Sequence, residues 1–196
     1  MNKPNSRAFD KIVSITMAVV LMSVLTGFIQ KSNADELATG TKAEQLAAQI
    51  EVQKVKIKQL QLQQFELQTA TFSDSELAAL MRAVGFEGNA VREAWAVAKK
   101  ETNGRPTAFN GNVTTGDHSY GIFQINMLGG LGTVRRDKYG LNNNSELFNP
   151  VTNAKIAYAM SNGGEDWSSW KVGSGYTGRD QARYREWYNN YPGGSQ

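Results

Sequence analysis

Ala94-Trp95-Ala96-Val97-Ala98-Lys99-Lys100-Glu101-Thr102-Asn103-Gly104, and after a short gap Asp117-His118-Ser119-Tyr120-Gly121-Ile122-Phe123-Gln124-Ile125-Asn126, is the stretch on which the fold turns. Val91, Ala94, Trp95 and Ala98 recur at helical spacing, so a helix with one inward face is predicted to end near Glu101. Asn89 is its predicted cap. Residues 102–118 are rich in Gly, Asn and Thr and read as a loop or small hairpin. In the second block, Gln124 and Asn126 alternate with apolar Ile122, Phe123 and Ile125 along an extended or tight segment.

A carboxyl group at the end of such a helix is a candidate general acid. Partial burial and the negative end of the helix dipole both disfavour the carboxylate of Glu101 and hold its proton. Lys99 and Lys100 oppose this unless their side chains point to solvent. A glycosidic oxygen leaves poorly unless protonated, which is the service such an acid performs. Asp117 is a second carboxylate, for catalysis or simply for the turn at Gly116-Asp117-His118-Ser119. Ser119, Gln124 and Asn126 offer hydroxyl and amide groups that either read sugar substituents or tie down neighbouring loops. Tyr120, Trp167, Trp170 and Tyr176 are aromatics for stacking on sugar faces or for the core.

Outward from this centre, three further helices are predicted. Ser73-Asp74-Ser75-Glu76 is a capping box that opens a helix carrying Leu77, Leu80, Met81 and Val84, and Gly85 stops it. Asn149-Pro150 opens another, with Ala154, Ala157, Tyr158 and Met160, ended by Gly163-Gly164. Gly178 to Asn190 is the last, with Tyr184, Trp187 and Tyr188. Asp166 to Trp170 and Gly173 to Tyr176 form an aromatic loop region. The expected class is mainly α with a short β element at most.

Composition divides the 196 residues unevenly: all four Trp and all seven Tyr follow position 94. From Phe72 onward there are 13 Lys+Arg against 12 Asp+Glu, and no basic stripe with interleaved aromatics suggests nucleic acid. With no cysteine and one histidine, disulfides and a cysteine-based metal site are excluded, and no cofactor is expected.

The first seventy residues read as appendages. Ile12 to Gln30 carry no charge over 19 residues and follow Lys3, Arg7 and Lys11. They suit a retained membrane anchor, or a signal peptide cut after Ala34. Either places the rest of the chain outside the cytoplasm. Thr41 to Ala70 contains no Pro or Gly and reads as a helix with a broken heptad seam through Leu46, Ile50, Gln53, Ile57, Leu60, Gln64 and Leu67. It is either a self-associating coiled-coil stalk or a solvated spacer. The domain scheme is thus 1–34 signal or anchor, 35–71 stalk, 72–196 globular.

The block from about Ser75 to Gln181 resembles the lysozyme-like, soluble lytic transglycosylase family, as found in tailed-phage structural proteins and secreted bacterial wall hydrolases. The two quoted segments, then Asn149-Pro150-Val151-Thr152-Asn153-Ala154, then Trp167 to Tyr176, follow in the family's order. The resemblance implies a lysozyme-like α+β domain with a glycan groove, cleaving the β-1,4 bond between N-acetylmuramic acid and N-acetylglucosamine in peptidoglycan. It implies Glu101 as the single essential acid and Gln124 in the groove. Asp117 only approximately matches the extra acid of goose-type lysozymes. Thr102 stands where the family has Ser. The family's Ala-Tyr-Asn-Ala-Gly motif, whose tyrosine supports the acid, is absent, leaving Tyr158 or Tyr176 to substitute. The alternative is a non-catalytic peptidoglycan-binding module on a stalk, as a virion or envelope component.

Overall fold

The computed structural model describes residues 42–193. The anchor or signal segment at 12–30 lies outside the described residues. Among the described residues, no helix is long and apolar enough to cross a membrane.

The first helix among the described residues, α1 (Lys42–Glu66), falls within the helix read at 41–70 and ends four residues earlier than the sequence suggested. A boundary between two compact units falls inside it, at Glu51/Val52. In the second unit, Phe65 is buried in the core, its ring 5.9 Å from that of Phe72, and Leu62 packs partly against the same core. Val52, Val55 and Leu60 remain exposed.

α2 (Asp74–Val84) opens with the predicted capping box: Glu76 N–H donates to Ser73 Oγ, and Ser73 N–H donates to Glu76 Oε2 at 2.8 Å. Gly85 ends it. α3 (Gly88–Thr102) follows. Asn89 does not cap it; Glu87 stands at the cap position without a side-chain bond, and the Asn89 amide donates to Glu93 one turn on. Gly88 starts the helix one residue too early for Asn89 to cap.

α3 is the central element. Residues 94–100 are all buried, not one face of them. The small side chains of Ala94, Ala96 and Ala98 let neighbouring elements approach from several sides. α2, a 3-10 turn at Asn162–Gly164 and the last helix, α6 (Gly178–Asn189), pack against it. A helix so enclosed must provide partners for any charge it carries. Lys99 meets this need through Asp74 Oδ1, 2.8 Å away, with its ammonium 4.5 Å above the Trp187 ring.

The β element is a three-stranded antiparallel sheet of two-residue strands, β1 (Phe109–Asn110), β2 (Ser119–Tyr120) and β3 (Ile125–Asn126), in the order β1-β2-β3. Tyr120 faces Phe109 and Ile125 across the register. A helix the sequence reading did not find, α4 (Gly129–Tyr139), follows it. Its Gly-Gly-Leu-Gly opening is unfavourable by propensity. Gly132 is nevertheless required, since a Cβ there would stand 2.2 Å from the Met127 carbonyl oxygen. α5 (Pro150–Met160) is capped as predicted, Asn149 Oδ1 accepting from Val151 and Thr152 N–H.

Candidate active site

Glu101 is the penultimate residue of α3, and Asn103, in the left-handed conformation, closes the helix behind it. Its side chain is 20% exposed. Burial pushes its proton affinity above the ordinary carboxylate value; Lys100 and Arg183 oppose that rise and Asp180 adds to it. Desolvation outweighs the neighbouring cation, so the acid form is favoured beyond the usual pH range.

Lys100 is the partner whose direction the sequence left open. Its side chain is only 4% exposed instead of reaching solvent. Its ammonium donates to the Trp170 carbonyl at 2.9 Å, and lies 2.6 Å from Glu101 Oε1 and 3.7 Å from Asp180 Oδ1. Three acceptors surround a group with three protons. Full burial of α3 forces this arrangement, and a one-face reading of its periodicity does not reveal it. Asp180 and Arg183, on α6, were missed. Nothing in their local sequence distinguishes them, since only the packing of α6 on α3 brings them to the acid.

The Ser-Tyr-Gly-Ile-Phe-Gln run is fastened to three other parts of the domain. Thr102 Oγ1, next to the acid, donates to the Ile122 carbonyl at 2.9 Å. Trp170 Nε1 donates to the Phe123 carbonyl at 2.7 Å. Asn153, fully buried on α5, accepts from Phe123 N–H and donates to the carbonyls of Tyr120 and Leu147, each at 2.9 Å. Gly121 lies under this amide with φ +71°; a Cβ there would come within 2.2 Å of the Leu147 oxygen. The Thr102 hydroxyl thus ties the helix of Glu101 to the hairpin.

These bonds locate the other sequence candidates. Gln124 adopts φ +48°, and its amide donates to the carbonyls of Ala108 and Gly121. Asn126 donates to the Gly116 carbonyl and accepts from His118 and Leu128 N–H, so its amide organises the hairpin ends. Ser119 is buried. Tyr120 is buried too, with its hydroxyl 2.8 Å from His118 Nε2. Trp170 is buried between Phe123 and Trp167 and links the hairpin, through its carbonyl, to Lys100. Asp117 Oδ2 accepts from Thr115 Oγ1 at 3.1 Å, an arrangement internal to its own loop. Tyr176 is exposed. Tyr158 packs edge-on against Phe86, 5.0 Å between centroids, beside Gly85 and Gly163. The group bonded to Glu101 is the Lys100 ammonium.

A second carboxyl on α3, Glu93, is also pushed up by burial. It accepts from Trp167 Nε1 at 3.1 Å and Asn89 Nδ2 at 2.8 Å, so both its oxygens serve packing. Among the described residues, no three His, Asp or Glu side chains gather as metal ligands.

A family model described as a lysozyme-like domain matches residues 78–172. No curated protein and no solved structure matches the chain. The matched span contains Glu101, the sheet, Asn153 and Trp170, and stops short of α6. Residues 78–172 are thus similar to the lysozyme-like domain family.

Proposed function

We propose that this chain cleaves the β-1,4 bond between N-acetylmuramic acid and N-acetylglucosamine, with Glu101 as its general acid. The observation that carries the reading is the state of Glu101: a carboxyl at the end of a buried helix, its side chain still partly exposed, its proton affinity raised by burial. Such a group is protonated where an ordinary surface glutamate is not, and can deliver its proton to the departing glycosidic oxygen. Either water or the muramyl 6-hydroxyl then attacks C1; in the second route Glu101 takes up the hydroxyl proton and the product carries an anhydro end. The substrate places the domain's work outside the cytoplasm, in keeping with a signal or anchor at residues 12–30.

The test is mass spectrometry of muropeptides released from purified sacculi by wild type and by Glu101→Gln. Wild type releases disaccharide products and the variant falls by at least about a hundredfold, the usual scale for a general acid. Retained cleavage by Glu101→Gln sinks the assignment. An inactive wild type that still sediments with sacculi replaces the enzyme with a wall-binding module. The anhydro end, present or absent, separates transglycosylase from hydrolase.

A further inference from the structure

We propose that Asp180 of α6 is a positioning residue that governs the proton of Glu101 through the shared ammonium of Lys100. The inference rests on Glu101 being the acid of the proposed reaction. Its grounds are geometric. The Lys100 ammonium is buried and held from behind by the Trp170 carbonyl, so it cannot swing away from the two carboxylates it faces. Glu101 holds it at 2.6 Å and Asp180 at 3.7 Å. The two carboxylate oxygens are therefore no farther apart than these distances laid end to end, well inside the range of strong mutual repulsion.

Asp180 is half exposed, in the first turn of α6, where the positive end of the helix dipole suits an anion. Arg183 follows three residues later, on the same side of the helix. The charged groups acting on Glu101 are thus Lys100 from its own helix, and Asp180 and Arg183 from the helix packed across it. Asp180 repels the Glu101 carboxylate and draws part of the ammonium's field to itself. Both effects keep the proton on Glu101. Arg183 acts in the opposite sense. Neither residue lies in the span matched by the family model, so this control comes from the helix that follows it.

The opposed signs supply the test. In the full-length chain, the ¹³C chemical shift of the Glu101 carboxyl is titrated in wild type, Asp180→Asn, Asp180→Glu and Arg183→Gln, alongside the pH dependence of muropeptide release. Asp180→Asn lowers the Glu101 midpoint by about half a pH unit or more, and the alkaline limb of activity moves down with it. Arg183→Gln moves both up, and Asp180→Glu restores the wild-type position. A residue that merely stabilised the fold would lower the rate without displacing the limb. Midpoints that stay put, or that move in the same direction in the Asn and Gln variants, overturn the inference. Opposed midpoint shifts, together with full activity in Glu101→Gln, would leave the coupling standing and remove the function assigned to it.

Discussion

Lys100 Nζ lies 2.6 Å from Oε1 of Glu101, its neighbour in sequence, while bonded to the Trp170 carbonyl seventy residues away. Adjacent helical residues project about 100° apart and do not ordinarily meet. They meet here because the lysine is trapped under the 168–170 turn and the acid sits at the helix end. Lys100→Met removes the cation, strands the Trp170 carbonyl and takes away the main opposition to the desolvation of Glu101. The expected cost is about 2–4 kcal/mol at neutral pH by urea denaturation, and it shrinks in acid, where Glu101 is neutral. The alkaline limb of any remaining activity moves to higher pH.

Because burial raises the proton affinity of Glu101 in the folded state, folding favours its protonated form. The stability this contributes is complete below the ordinary carboxylate range and is lost as pH rises through the folded-state midpoint. Glu101→Gln removes that loss. Thermal unfolding should show the variant more stable than wild type at pH 8, with the difference closing or reversing by pH 4. The same midpoint limits wild-type kcat/KM on the alkaline side.

Asn153 satisfies three backbone groups at once, on Phe123, Tyr120 and Leu147. Asn153→Ala removes all three bonds from a buried site, at a cost of about 3 kcal/mol or more. The denaturation midpoint should fall sharply, and hydrogen exchange at the Phe123 amide should rise by at least about a hundredfold.

The end of α1 belongs to the core through Phe65, whereas Val52 is 65% exposed. Phe65→Ala should destabilise the chain by about 3–4 kcal/mol, and Val52→Ala by less than about 0.5 kcal/mol. Equal small effects in chemical denaturation would show that α1 contributes no packing to the domain.

What could be read from the chain was local. The Ser73 and Asn149 caps, the Gly85 stop and the end of α3 near Glu101 depend on contacts within a few residues, and each agrees with the structure, whereas the single inward face read for α3 gives way to burial on all sides over residues 94–100. α4 escaped because its glycines serve a close backbone approach, which propensity counts against a helix. Asn89 failed as a cap because glycine, the residue before it, had already entered the helix. The amides of Gln124 and Asn126 could not be divided between sugar and backbone beforehand, since their partners lie across loops.

The sequence by itself determined a mainly helical domain with a resemblance to lysozyme-like proteins and singled out Glu101 as a candidate acid, because caps, periodicity and motif order are short-range properties. Tertiary structure alone decided what surrounds that acid. Lys100, Trp170, Asp180 and Arg183 come from three separate elements, and only the enclosure of α3 by its neighbours turns a surface-type lysine into a buried partner and two residues of α6 into the acid's electrostatic setting.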